Sequence, residues 1–372
     1  MSVKPNPSTS VQAVGSKMAL TLGLLLLGAS VTSARIGRMG TTDRPGLDDL
    51  LAAVSVVQIP MRVRFRGVMV REAVLLRGPA GWGEFSPFLE YDDAESARWL
   101  AAAVESAWTG WPAPERRTVA VNATVPAVPA AEVAGVLSRY DGCATAKVKV
   151  AERGQALCDD LDRVAAVRDV MGPAGRVRVD ANGGWGVDDA SQALRRLAAW
   201  DLEYAEQPCA TVEELAALRV DLARRGVDLP VAADESIRKA SDPMRVVREE
   251  AADIVVVKVA PLGGVTSALA IARECGLPTV VSSALDTSVG IAAGVALAAA
   301  LPELPYACGL STVELMAGDV CSPSLVPAGG AIEVTAPAAD EELLARWAAP
   351  ADRQQWWRDR VRRCHTLLPA LA

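Results

Sequence analysis

Between residues 54 and 91, apolar and polar positions alternate along the chain. The runs V-S-V-V-Q-I-P-M-R-V-R-F-R-G-V, V-R-E-A-V-L-L-R-G and G-W-G-E-F-S-P-F follow one another, broken at Gly67, Gly78, Pro79 and Gly81. A period of two with Gly/Pro breaks predicts an antiparallel meander of about three strands. From about Asp93 to Trp108 the period lengthens, with Ala97, Leu100, Ala101 and Val104 at helical spacing. Gly110, Pro112 and Pro114 then mark a boundary, so residues 39–115 read as a small α+β module.

From residue 117 the pattern changes. Short apolar runs (T-V-A-V-N-A-T-V, A-K-V-K-V, V-R-V-D-A-N, L-E-Y-A-E-Q-P, L-P-V-A-A-D-E-S, D-I-V-V-V-K-V-A-P, L-P-T-V-V-S-S-A-L, Y-A-C-G-L) alternate with amphipathic helical segments such as 158–170 and 188–199. Eight buried strands alternating with helices predict a (β/α)8-type barrel over residues 116–328. A doubly wound open sheet is the alternative, but no G-x-G-x-x-G follows the first strand and no P-loop is present. Residues 329–339 read as a last strand returning to the small module, and 340–372 as an arginine-rich, helix-like tail.

Polar residues recur where the barrel strands end. Lys149, Asp180, Glu206, Asp234 and Lys258 each close an apolar run, 31, 26, 28 and 24 residues apart, one βα unit per step. The C-terminal ends of barrel strands form the mouth that carries a barrel enzyme's chemistry. A single strand-end aspartate is usually a helix cap; five such ends in the order Lys, Asp, Glu, Asp, Lys are not explained by capping.

Composition sharpens this picture. The only histidine is His365, in the tail, which excludes a multi-histidine metal site and argues against a Ser-His-Asp triad. The chain has 32 arginines but six lysines, and two of those, Lys147 and Lys149, share one face of a five-residue strand. Lysine can give up its proton at accessible pH and arginine cannot. Three carboxylates form an oxygen-only donor set suited to Mg²⁺ or Mn²⁺. Lysines on either side of such a site, depressed in pKa by like charge, become available as bases. This combination suits proton abstraction beside a carboxylate, with the developing enediolate neutralised by the cation. The net charge of −7 argues against nucleic acid as a partner, and seven scattered cysteines without C-x-x-C suggest reduced thiols and a cytoplasmic protein. Against that, the apolar run 18–31 behind Lys17, followed by V-T-S-A-R, resembles a signal peptide. The other reading is that residues 1–38 are not part of the working protein and translation starts at Met39; beyond this segment nothing suggests a membrane.

K-V-K at 147–149, D-A-N at 180–182, E-Q-P at 206–208, D-E-S at 234–236 and the lysine of V-V-V-K-V at 258 together resemble the enolase superfamily, muconate-lactonizing subgroup. F-R-G-V, G-W-G-E-F-S-P-F, A-E-Q-P-C, S-S-A-L-D-T-S-V-G and G-L-S-T-V-E-L-M resemble its actinobacterial o-succinylbenzoate-forming branch, and the likeness spans about residues 54–335. The resemblance implies a TIM-like (β/α)7β barrel with an N-terminal α+β capping domain that closes over the mouth and shapes specificity through residues such as Phe85, Ser86, Pro87 and Phe88. It implies a small-molecule carboxylate substrate and Mg²⁺ held by Asp180, Glu206 and Asp234. The implied reaction is syn elimination of water from 2-succinyl-6-hydroxy-2,4-cyclohexadiene-1-carboxylate to give 2-succinylbenzoate, a step of menaquinone biosynthesis. Lys149 would take the α-proton and Lys258 would act electrostatically from the opposite face. Lys147 would tune Lys149, Arg178 would help position it, and Asn182 and Glu235 would support the site from behind. Backbone amides at Ser282, Ser283 and Gly309 would bind the succinyl carboxylate. Two rival readings remain open at this point. One is an N-succinylamino acid racemase or dipeptide epimerase on the same fold; the other is an exported, non-catalytic binding protein.

Overall fold

The computed structural model describes residues 45–239 and 242–368. The signal-like residues 18–34 and the candidate start Met39 lie outside the described residues.

The period-two segment folds as expected. Strands β1 (Val54–Phe65), β2 (Val68–Gly78) and β3 (Gly81–Phe85) form an antiparallel meander in that order. Helix Asp93–Val104 packs on it through Ala97, Trp99, Leu100 and Val104, and Asp92 caps it by accepting from the Glu95 amide at 2.8 Å. The helix ends in a π-helical turn, Glu105–Thr109.

The second part opens with β4 (Thr118–Ala120). It continues with β5 (Ala123–Val125), β6 (Thr145–Lys149), β7 (Arg176–Asp180), β8 (Leu202–Glu206), β9 (Val231–Ala233), β10 (Ile254–Val257) and β11 (Thr279–Val281). Strands β5 to β11 form one seven-stranded sheet in sequential order, and every paired neighbour is parallel. A doubly wound sheet reverses its strand order at a switch point, and this one does not. The sheet is curled, and its two edges are joined by residues 308–309. The Cys308 amide donates to Ala120 and the Asn122 amide to Cys308, while the Gly309 amide donates to Val281 and the Ser283 amide to Gly309. The eighth strand expected at Y-A-C-G-L is therefore reduced to two single bridges, Val121–Cys308 and Ser282–Gly309. Helices such as Leu157–Met171, Val212–Arg224, Val265–Cys275 and Ser288–Ala300 cover the sheet. Among the described residues no helix is long and apolar enough to cross a membrane.

The return to the small module differs from expectation. Strand β12 (Ala331–Glu333) exists, but it pairs antiparallel with β4. The chain rejoins β1 elsewhere: the Ala317 amide donates to Pro60, the Gln58 amide to Trp347, and the Ala349 amide to Val56. The apolar pattern shows that residues 331–333 form a strand, but partner choice depends on which edge is open, and β4 offers one.

Two buried glutamates of the cap fasten it to the second part. Glu84 on β3 accepts from the Thr287 amide (3.0 Å), the Thr287 hydroxyl and the Gly290 amide (3.1 Å), at the start of helix Ser288–Ala300. Glu105 accepts from the amides of Val265 and Thr266, at the start of helix Val265–Cys275. Helix N-termini leave amides unpaired and carry partial positive charge, so each carboxylate is a cap supplied from another part of the fold. Arg71 on β2 adds a third tie, donating to the carbonyls of Leu285 (2.9 Å) and Ala284 (3.2 Å).

Candidate active site

The parallel register aligns the strand-end charges. Lys149 pairs with Asp180 across β6 and β7, and Asp180 pairs with Glu206 across β7 and β8. Asp234 follows β9 and Lys258 follows β10. All five side chains are buried. The period of two turns Lys147 and Lys149 to the same side, one layer apart, as the sequence predicts.

Each carboxylate has an ammonium partner. Lys149 donates to Asp180, and to Asn182 Oδ1 at 2.7 Å. Lys147 donates to both oxygens of Glu206 at 2.8 and 3.0 Å, with Asp180 Oδ2 at 3.4 Å. Lys258 donates to Asp234 Oδ2 at 2.6 Å, and Arg238 donates to Asp234 Oδ1 at 3.0 Å. Asn182, in the left-handed region at φ 47°, links Lys149 to Glu235 Oε1 at 3.2 Å.

The two adjacent lysines have opposite electrostatics. Burial lowers the Lys149 pKa, and the nearby Lys147 and Arg66 charges add to that. Lys147 is equally buried, but Glu206 and Asp180 outweigh the burial and hold its pKa well above the usual lysine value. Burial also lowers Lys258, reinforced by Arg238. Burial opposes ionisation of Asp180, yet Lys149, Lys147 and Lys258 hold it far below the carboxylate range. Glu206 goes the other way: burial and repulsion from Asp180 push it up to about 7.

That repulsion bears on metal binding. As the side chains stand, no three carboxylate, histidine or cysteine groups among the described residues are gathered closely enough to hold an ion. An ammonium, Lys147 Nζ, stands between Asp180 and Glu206. The donor set nevertheless fits a hard divalent cation: three buried carboxylates, no nitrogen or sulfur ligand, and a Glu206 whose ionisation its neighbours resist.

The mouth opens into a small cavity lined by Lys147, Lys149, Asp180 and Lys258, by Ser282, Ser283 and Gly309, and by Phe65, Arg66 and Phe88 of the N-terminal module. Three expectations need correction. The amides of Ser282, Ser283 and Gly309 are consumed by Val257, Gly309 and Val281 in the sheet ladder and its closing bridges, so they do not offer an anion site. The Ser283 hydroxyl bonds Gly309 O and Thr312 Oγ1, both at 2.8 Å. Arg178 does point inward, but it makes no contact with Lys149. It binds Glu203, Tyr204 OH (3.1 Å) and Ala307 O (2.7 Å), because it sits one layer below the mouth, level with Lys147. Of the cap residues named from the sequence, Phe88 reaches the cavity wall, while Ser86 donates to Glu84 and accepts from Arg71, two residues that tie the module down.

Sequence reasoning missed Arg238 and Arg66. Arg238 could have been found, since it lies four residues after Asp234 on a helical turn. Arg66 stands inside F-R-G-V, where the following glycine signals a turn.

Comparison with known proteins defines the class first. The enolase N-terminal domain-like model matches residues 56–107, and the enolase C-terminal domain-like model matches residues 130–338. Solved structures agree on the fold. The muconate lactonizing enzyme of Pseudomonas fluorescens superposes with a TM-score of 0.67 at 22% identity, covering 80% of this chain and 98% of that one. The L-Ala-D/L-Glu epimerase of Bacillus subtilis gives 0.64 at 24%, covering 77% and 96%. Closer sequence relatives narrow the class. The o-succinylbenzoate synthase of Thermobifida fusca is 61% identical over 287 residues, covering 77% of this chain and 89% of that protein. That of Mycolicibacterium smegmatis is 58% identical over 329 residues, covering 88% and 100%. The chain belongs to the o-succinylbenzoate synthase family of the enolase superfamily.

Proposed function

We propose that this protein is an o-succinylbenzoate synthase, a hydro-lyase that converts 2-succinyl-6-hydroxy-2,4-cyclohexadiene-1-carboxylate to 2-succinylbenzoate on the route to menaquinone. The carrying observation is Lys149 and Lys258, both buried and both lowered in pKa, at the mouth end of a row of three carboxylates. Relatives 55–61% identical over most of the chain carry that name. The racemase and epimerase readings rest on fold likeness alone, and the three ammonium–carboxylate pairs argue against a retired, ligand-binding barrel.

Asp180, Glu206 and Asp234 are the residues that would hold Mg²⁺, with Mn²⁺ a chemical substitute. When bound, the ion supplies positive charge to the substrate carboxylate as the α-carbon loses its proton. Lys149 Nζ, lowered in pKa by burial, accepts that proton. The C–H electron pair moves into the ring, the C–O bond to the hydroxyl breaks, and the same Lys149 ammonium returns the proton to the departing oxygen as water. Because the one lysine serves as base and then as acid, both bonds break on the face that Lys149 occupies, and the product ring is aromatic. Lys258, across the mouth just past β10, contributes positive charge, and Lys147 donates to both Glu206 oxygens, favouring the carboxylate against the burial and the Asp180 charge that oppose it. Asn182 fixes Lys149 through its amide oxygen and Glu235 through its amide nitrogen. We read the curled sheet as a (β/α)7β barrel whose last stave is the 307–310 segment, capped by the α+β module of residues 39–115.

The test is a direct assay of the purified protein with the cyclohexadiene carboxylate, following aromatisation by absorbance with Mg²⁺ and after EDTA. Turnover with Mg²⁺ that disappears in EDTA and returns on readdition is expected. Substantial turnover in metal-free enzyme would sink the metal assignment, and no turnover under any condition would sink the activity.

A further inference from the structure

The cap supplies the cavity wall that faces the lysines. Strands β1 and β2 join through Arg66 and Gly67, both left-handed at φ 52° and 79°. A two-residue turn of this kind is tight, and glycine carries the second position without steric cost. It sets the Phe65 ring 5.3 Å from Lys149 Nζ and brings Arg66 to the cavity wall. The Arg66 guanidinium lies over Phe88, 5.3 Å from the ring centre, and its side chain is 25% exposed.

Arg66 differs from the other cations around the cavity. Lys147, Lys149 and Lys258 are each bonded to a carboxylate, and Arg71 is spent on Ser86 and the Ala284 and Leu285 carbonyls. The nearest carboxylate oxygen to Arg66 is Glu235 Oε1 at 3.7 Å, beyond hydrogen-bond reach, and that oxygen already accepts from Arg238 and Asn182. The substrate named above carries two carboxylates. The lysine and carboxylate row serves the one beside the reacting carbon, and the amides once expected to serve the other are committed to the sheet.

We propose that Arg66 binds the distal, succinyl carboxylate and so selects dicarboxylate substrates. This rests on the synthase reading above and adds the residue that recognises the succinyl arm. The planar guanidinium matches a carboxylate through paired N–H donors. Stacking on Phe88 and the rigid turn hold its plane before substrate arrives, which reduces the ordering cost of binding.

The experiment compares wild type, Arg66→Gln and Arg66→Lys in Mg²⁺. It measures kcat and KM for the cyclohexadiene carboxylate, and calorimetric binding of 2-succinylbenzoate against its succinyl methyl ester. Wild type should bind the diacid about 10- to 100-fold more tightly than the ester, the usual worth of a charge-assisted hydrogen bond. In Arg66→Gln that preference should shrink to about threefold or less while KM rises by a similar factor and kcat changes little. Arg66→Lys should fall between, and circular dichroism of both variants should match wild type. A full preference for the diacid in Arg66→Gln would overturn the proposal. So would a fall in kcat at unchanged KM, since Arg66 would then act through Lys149. If the synthase reading itself fails, wild type alone shows it, by neither turning over the substrate nor binding the product.

Discussion

Lys147 and Lys149 are two residues apart on one strand face, and the groups they meet separate their roles. Lys147 faces Glu206 and Asp180 and is held charged, whereas Lys149 reaches Asp180 and Asn182 at the rim, where burial lowers its pKa. Replacing Lys149 by Ala should cut turnover by about 10²- to 10⁴-fold, the usual worth of a positioned base. Lys149→Arg should be about as inactive, because a guanidinium does not give up its proton. Magnesium binding by calorimetry should persist in the alanine variant; a variant that keeps turnover would remove Lys149 as the base. A second residue-scale test concerns Glu84, which lies buried among Asp286, Arg71, Ser86 and Thr287. Burial and Asp286 push it up to about 7 from an ordinary value of 4.5. The native state therefore keeps a proton that the unfolded chain loses, so the associated stability is present in full below the ordinary carboxylate pKa and is lost as pH rises through about 7. Glu84→Gln cannot titrate, so its urea midpoint should fall less than that of wild type between about pH 5 and 8. An identical fall in both proteins would assign the titration to other groups.

At the scale of elements, the N-terminal module is joined to helices that cover the parallel sheet by carboxylates as well as by apolar packing. Glu105 takes the first two amides of helix Val265–Cys275, and Gly264 lies so close that a Cβ there would stand 2.4 Å from Glu105 Oε2. Glu105→Ala should cost about 1–2 kcal/mol, the usual worth of a helix cap, measured by urea denaturation. Gly264→Ala should destabilise too, through the clash and through its φ of 134°. Wild-type stability in both variants would show that the tie contributes nothing. Neither glutamate's role was legible beforehand. G-W-G-E-F reads as an ordinary strand and Glu105 as a helix residue, and the amides they cap belong to helices some 160 to 200 positions away. What could be read was whatever depends on local period: the meander, the helix from Asp93, and the alternation that puts Lys147, Lys149, Arg178 and Asp180 on one face. Strand-end spacing also carried the five charges. The closing bridges at 308–309 and the pairing of β12 with β4 escaped for a different reason. Each is only a few residues long, and each is decided by which sheet edge remains open once the other strands have paired.

For the whole molecule, the arginine-rich tail braces the wall of the cavity that the N-terminal module supplies. Helix Ala351–Leu367 lies on the cap, with Trp357 and Arg353 both donating to Glu72 of β2 at 2.6 Å. Deeper along it, Arg360 is buried against Trp356 and Trp357 and donates to the carbonyls of Phe88 and Tyr91 and to Ser96 Oγ (2.8 Å). The Phe88 ring lines the cavity and underlies both Arg66 and Arg71. A residue 272 positions away in sequence thus fixes the loop on which the substrate-facing aromatic stands. Removing the guanidinium leaves the Tyr91 carbonyl without this donor, at a cost of about 1–3 kcal/mol where water cannot reach it, while the Phe88 carbonyl keeps the Tyr91 amide. Arg360→Met keeps most of the stem's packing and should therefore destabilise by about 1–3 kcal/mol. Its KM should rise as Phe88 loosens, while kcat falls less, because Lys149 and Asp180 sit on strands of the parallel sheet that Arg360 does not touch. Arg363, three residues on and paired with Asp93 at the surface, is the control: Arg363→Ala should change stability by less than about 1 kcal/mol and leave KM alone. Urea denaturation and steady-state kinetics on the two variants decide the matter. Equal, small effects at both positions would show that the tail merely covers the cap and does not hold the wall of the active site.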